Sequence, residues 1–330
     1  MNSHSTSDGS LRLSVILPTD TAKTIEPVLR NLGRQTIARE IEIVLVSDSA
    51  DHGPPFPFDH RQHPFGKLTC VAVDQLSPLG RARAAGVRAA TAPFVFIGET
   101  HSFLRPDAAE KLLYRAATEN CCAVVPGFEN ENPTNLWSWA AFLGDYGAWS
   151  AAQPPVELRE PPVYNVLIRR DVLLSLNEAL ADALYHGDQL RRELERLRAR
   201  TVFEPSARIG HVNLDRLRHL WREHLMIGRM IGARRAREWA LPRRAAYFAA
   251  GPLIPCVLLR RALPGIRASR DEVPSRLRTV ALVFALKAIR AAGEMAGYLG
   301  VPATGLEAKA DLLEIHKFAH TSDPSLADRV

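Results

Sequence analysis

Cysteine is scarce in this 330-residue chain: Cys70, Cys121, Cys122 and Cys256 are the only four. Their spacing fits neither a zinc site nor a disulfide framework, which points to a reducing compartment. Residues 1–10 have no apolar core, so they read as a disordered tail and not as a signal peptide. Apolar runs are short. Residues 245–259 are broken by Pro252 and Pro255, and residues 279–286 stop at Lys287 and Arg290. Both fall below the roughly 20 residues a membrane-crossing helix needs. Residues 18–23 contain no glycine, which argues against a phosphate-cradling loop and the nucleotidyltransferase that would use one. No recognised nucleic-acid-binding motif accompanies the basic charge, so no nucleic-acid partner is expected.

Against those absences, 46% of the residues are hydrophobic, enough for a sizeable core. The length suits one large domain with an appendage, or two domains. The net charge is +6, and arginine is crowded between Arg191 and Arg278. Such crowding suits an anionic membrane surface or a phosphorylated substrate.

Periodicity alternates along the first 125 residues or so. Short apolar runs at 11–18, 41–46, 68–73, 94–97 and 123–126 read as strands. Helices are expected at 22–35, 79–90 and 107–119, with a loop at 51–67. Ile25, Val28, Leu29 and Leu32 supply the apolar face of the first helix, and Thr19, Asp20 and Thr21 offer caps for it. This alternation predicts a doubly wound α/β architecture with a mainly parallel sheet. Residues 128–164 break the pattern with Trp137, Trp139, Tyr146 and Trp149. These aromatics read as core or interface before they read as a substrate wall. A strand at 164–168, helices at 170–180 and 189–200, and extended pieces at 202–203 and 207–212 follow. From residue 214 onward the chain is helical, basic and amphipathic, suited to lying in a headgroup plane or to packing as a cap.

The stretch that concentrates chemistry follows the strand at 94–97. Gly98 breaks it, and Glu99-Thr100-His101 come next. A carboxylate and an imidazole two residues apart, at the carboxyl end of a buried strand, form half a site for a divalent cation. Read alone, they are equally well ordinary loop residues.

Six features in order resemble family 2 inverting glycosyltransferases of GT-A fold. They are Val15-Ile16-Leu17-Pro18-Thr19; the strand from Glu42 to Asp48; Gly80-Arg81-Ala82-Arg83-Ala84-Ala85-Gly86; Phe96 to His101 with Leu104 and Pro106-Asp107; Gly187-Asp188; and His211 after Glu204-Pro205. The resemblance covers residues 11–213. Within it, Glu99-Thr100-His101 takes the place of the family's Asp-x-Asp, and Gly187 stands where a glutamate is usual.

The resemblance implies a GT-A domain at 11–213, which leaves the basic helical region read from charge and pattern at 214–330. It implies transfer of a sugar, with inversion, from a nucleotide-diphosphate donor, a UDP-sugar foremost. The acceptor would be a hydroxyl of a glycan or lipid-linked molecule; the arginine-rich helices after residue 214 add the expectation of a cytoplasmic enzyme peripheral on the inner face of the plasma membrane. The resemblance assigns Pro18, Thr19, Asp48, Arg83, Glu99 and Thr100 to the donor nucleotide, with Arg81 a rival to Arg83. Glu99, His101 and His211 are assigned to a divalent cation, Mn2+ or Mg2+, and Asp188 is the general base. Residue chemistry alone reads Asp188 as a helix cap, Arg83 as a solvated helix residue and His211 as a structural histidine. A non-catalytic partner subunit that binds nucleotide or glycan is the alternative reading.

Overall fold

The structure is a computed structural model that describes residues 10–48, 64–158 and 160–329. The expected tail and most of the expected loop at 51–67 lie outside the described residues. In chain order the elements are β1 (Leu13–Pro18), α1 (Ala22–Leu32), β2 (Ile41–Asp48), β3 (Lys67–Val73), α2 (Leu79–Ala89), β4 (Phe94–Ile97) and β5 (Ser102–Leu104). Then come α3 (Ala108–Thr118), β6 (Ala123–Asn130), α4 (Leu136–Asp145), β7 (Val166–Arg169), α5 (Arg170–Leu174), α6 (Leu180–Ala183), α7 (Gly187–Arg196) and β8 (Thr201–His211). Helices α8 (Leu217–Glu238), α9 (Leu241–Ala249), α10 (Ile254–Ala268), α11 (Arg276–Tyr298), α12 (Leu306–Ile315) and α13 (Leu326–Arg329) follow. The described residues divide into one unit drawn from 10–99, 104–125 and 157–207 and another drawn from 100–103, 126–156 and 208–329.

The first unit is organised on the sheet, whose strand order is β3-β2-β1-β4-β7-β6-β8-β5. Strands β3, β2, β1 and β4 are parallel, while β7 runs antiparallel to both β4 and β6. This is the mixed, mainly parallel sheet with flanking helices that the alternation predicts. All six residues of β1 and the first seven of β2 are buried, as continuous apolar runs covered on both faces must be. Gly86 lets α2 lie against the sheet, because a Cβ there would stand 2.4 Å from Ile16 Cγ2. Thr21 is the cap of α1, accepting from the Thr24 amide at 3.2 Å.

A buried carboxylate ties this sheet together. Glu42 on β2 accepts from Ser14 Oγ (2.5 Å), Thr69 Oγ1 (2.9 Å), the Thr91 amide (2.7 Å) and Thr91 Oγ1 (2.9 Å), and pairs with Lys67 Nζ at 2.8 Å. Burial alone would raise its pKa. The five donors outweigh burial and bring it down to about 2.

Two expected helices are cut short by residues in left-handed backbone conformation. The helix expected at 170–180 is split at Asn177, whose φ of 50° no helix interior accepts. The one expected at 189–200 ends at Arg196, two residues before Arg198 at φ 51°. In the other direction, the extended pieces at 202–203 and 207–212 fuse into one strand, β8.

The second unit is mostly helical. Helix α4 forms where no helix was expected, with Asn135 capping the amides of Trp137 and Ser138. Its residues 138–143 are all buried, so no polar face marked it in the sequence. Trp139 joins the core, in keeping with the core reading of the aromatics. Helices α8 and α11 cross at glycines from both sides. A Cβ on Gly228 or Gly232 would stand 2.0 and 2.1 Å from the carbonyl oxygens of Arg290 and Glu294, and one on Gly293 would stand 2.2 Å from that of Leu225. Beside this crossing Lys287, 2% exposed, reaches Asp145 at 2.5 Å. Burial opposes ionisation of Asp145, but Lys287, His224 and Arg290 together hold its pKa below the usual carboxylate range. The apolar run at 279–286 is not a free amphipathic face: Thr279, Val283 and Leu286 are buried.

Candidate functional site

Strand β4 delivers the candidate site. Its hydrogen-bonded run ends at Gly98, whose amide donates to Ile16 O at 3.0 Å and whose missing side chain leaves room for Leu17. The chain then turns through Glu99, Thr100 and His101, all nearly inaccessible to solvent, before β5 begins. Backbone pairing continues from His101 O to the Val212 amide at 3.1 Å, which sets His101 beside the end of β8. His211, fully buried, is the last residue of that strand.

The two imidazoles meet Nε2 to Nε2 at 3.2 Å. Each is oriented from its far side. Asn213 Oδ1 lies 3.0 Å from His211 Nδ1, and Asn213 Nδ2 already donates to Asn130 Oδ1 and to the His211 carbonyl. An amide oxygen only accepts, so Nδ1 of His211 carries the proton and its Nε2 keeps a lone pair. Thr100 Oγ1 donates to Ile315 O at 2.8 Å and lies 3.4 Å from His101 Nδ1. Two ring nitrogens thus meet in a buried place, as a cation held between them would require. Phe128 and Tyr146 wall His211, with ring centroids 6.3 and 4.0 Å from its own, and Trp149 packs behind Phe128 at 6.2 Å.

Glu99 stands two residues upstream on the same turn, where Asn165 Nδ2 donates to its Oε2 at 2.6 Å. Asn165 is fully buried at φ 53°, a left-handed conformation Asn tolerates, and its amide donates to Ile97 O at 2.5 Å. One ligand atom each from Glu99, His101 and His211 fall within 4.8 Å of one another. Nitrogens 3.2 Å apart, each about 2.1 Å from a shared ion, subtend roughly 100° at it, between tetrahedral and octahedral values. The donor set therefore fits a divalent cation of the Mn2+ class.

The other expected residues are placed as follows. Pro18 ends β1, and Thr19 is fully buried, with its amide on Val46 O and its hydroxyl on Thr21 O. Asp48 ends β2. Arg83 is not the solvated residue its helix suggested. It is 5% exposed, donates to Leu184 O at 3.0 Å and stands over the Tyr164 ring at 5.4 Å. Asp188 lies one residue inside the start of α7, whose cap position is His186, and pairs with Arg192 at 3.1 Å. The orienting residues Asn165 and Asn213 were missed by sequence reasoning. Asn213 stands two residues after His211, the spacing at which a second support is most easily found.

Residues 14–174 match the family model described as glycosyl transferase family 2. The matched span holds Glu99, His101 and Asn165, while His211 and Asn213 lie beyond it. No curated protein sequence matches the chain. Among solved structures, the mannosyltransferase PcManGT from Pyrobaculum calidifontis, in complex with GDP-Man and Mn2+, is 17% identical. That alignment covers 92% of this chain and 87% of PcManGT with a TM-score of 0.52, a likeness of fold. S. aureus TarS 1-349, in complex with UDP, is 14% identical over 88% of this chain and 92% of its own, with a TM-score of 0.46.

Proposed function

We propose that the chain is a family 2 glycosyltransferase that moves a sugar, with inversion, from a nucleotide-diphosphate donor to a hydroxyl acceptor. The observation that carries this reading is the convergence of Glu99, His101 and His211 after a buried strand of a GT-A sheet, with two of the three inside the family-matching span. Glu99, His101 and His211 would hold a divalent cation, Mn2+ or Mg2+, which supplies Lewis acidity to the departing nucleoside diphosphate. Asn165 and Asn213 fix the carboxylate and the imidazole that face it. Pro18, Thr19 and Asp48, at the carboxyl ends of β1 and β2, line the end of a parallel sheet where ligands bind, and Arg83 and Thr100 complete the donor set. Asp188 takes the proton of the attacking hydroxyl, parting from Arg192 to do so. The donor class we favour is a UDP-sugar, and the acceptor a glycan or lipid-linked hydroxyl.

We place the enzyme at an anionic membrane surface, on the inner face of the plasma membrane. Among the described residues no single helix is long and apolar enough to cross a membrane, although α9 with residues 251–268 passes that test as a pair bent by 48°. What supports surface docking is that Leu241, Leu253 and Val257 are more than half exposed along helices that also carry Arg243, Arg244, Arg260 and Arg261.

Thermal unfolding with a panel of nucleotide sugars, with and without Mn2+, tests donor and metal together, since a bound ligand raises the midpoint by mass action. Asp188→Asn should leave that stabilisation intact while transfer collapses. Near-normal transfer by Asp188→Asn would move the base elsewhere. A non-catalytic nucleotide- or glycan-binding subunit remains the second reading, favoured by the exposed ion pair of Asp188 with Arg192. Stabilisation by a nucleotide sugar without any hydrolysis of it would select that reading.

A further inference from the structure

The C-terminal helix α12 ends against the turn that carries His101. Thr100 Oγ1 donates to Ile315 O at 2.8 Å and approaches Glu314 O at 3.3 Å, so the carbonyl end of α12 faces this turn. Phe318 packs on Phe103 with ring centroids 6.0 Å apart, and the Ser322 amide donates to Asp215 Oδ1 at 2.7 Å. The segment after α12 is thus anchored on both sides of residues 314–317.

Two charged side chains in that anchored segment matter. Glu314 Oε2 lies 3.6 Å from His101 Nε2, the same nitrogen that faces His211. On its other side the same oxygen receives Lys317 Nζ at 2.8 Å, and Lys317 is only 3% exposed. A lysine almost never sits so deep without a partner, and here its partner is a carboxylate that also faces the candidate cation site. Among Glu99, His101 and His211 there is one carboxylate for a doubly charged ion. A second carboxylate and the negative end of a ten-residue helix both lie on the His101 side.

Resting on the metal reading above, we propose that Glu314 is a further carboxylate donor to the cation held by Glu99, His101 and His211. Lys317 is the internal cation that competes for it. Without the metal, the ammonium neutralises Glu314. With the metal, the carboxylate turns its charge to the ion and Lys317 opposes binding. The C-terminal segment thereby sets metal affinity, and α12 belongs to the metal centre as well as to the helical unit.

The sign of the two substitutions tests this. Mn2+ binding is measured on the full chain without nucleotide, by loss of the free-ion electron paramagnetic resonance signal, and each variant's unfolding midpoint is measured in chelator. Glu314→Gln should weaken Mn2+ about 10- to 100-fold. Lys317→Met, which keeps the buried stem, should tighten it. The double variant should bind as Glu314→Gln alone, because on this proposal Lys317 acts on the ion through that carboxylate. A purely structural role for the pair would move both single variants in the same direction, and that result overturns the proposal. If His101→Ala abolishes Mn2+ binding while Glu314→Gln and Lys317→Met bind as the wild type does, Glu314 is no donor although the metal reading stands. If the wild-type chain binds no Mn2+, the metal reading itself fails and the proposal falls with it.

Discussion

His101 and His211 are 110 positions apart in the chain, yet their Nε2 atoms face each other across 3.2 Å with Asn213 fixing one ring from behind. The Asn213 contact decides which nitrogen offers a lone pair. Asn213→Ala should therefore weaken Mn2+ binding about 10- to 100-fold, while Asn213→Asp, which keeps an acceptor oxygen on Nδ1, should retain it. Calorimetric titration with Mn2+ reads both, and equal affinities for the two variants would remove the orienting role.

Glu42 gives the sheet a pH dependence whose sign follows from its lowered pKa. A carboxyl depressed from 4.5 to about 2 stabilises the fold fully above its unfolded pKa, and that stability is lost as pH falls between the two values. The window contributes on the order of 3 kcal/mol, as an upper figure. Urea unfolding from pH 6 down to about pH 2 should lose this increment in the wild type and show a flatter profile in Glu42→Gln.

The crossing of α8 and α11 leaves no room for side chains at Gly228, Gly232 and Gly293. Gly232→Val forces two backbones apart and should cost at least about 1–3 kcal/mol. An exposed helix position would be indifferent. The unfolding midpoint of Gly232→Val against that of a substitution at exposed Leu277 separates the two cases.

Lys287 is buried with Asp145 as its hydrogen-bonded anion. Asp145→Asn leaves the ammonium without a counter-charge and should destabilise the chain by about 3–5 kcal/mol. Adding Lys287→Met to Asp145→Asn should recover part of that loss, because the uncompensated charge goes with it. Chemical denaturation of the single and double variants checks the recovery.

Much of the first unit was legible in the sequence because local pattern and tertiary role coincide there. Apolar runs at 11–18, 41–46 and 94–97 are strands because only a sheet covered on both faces accepts such runs, and the break at Gly98 announces the turn that holds Glu99 and His101. The split at Asn177 and the burial of Arg83 were not legible. A left-handed φ at one asparagine and a guanidinium stacked on Tyr164 depend on neighbours distant in the chain.

By itself the sequence determined most of the alternating strands and helices of residues 11–126 and the helical character of the C-terminal region, and it pointed to Glu99, His101 and His211 as candidate ligands. Hydrophobic periodicity and short motifs act over a few residues, and those features are local. Only the tertiary structure decided that His211 turns its Nε2 on His101, that Asn165 and Asn213 orient the donors, and that Glu314 and Lys317 come back to the same turn. Those relations are set by strand pairing and helix packing across tens to hundreds of residues. No window of sequence holds both partners.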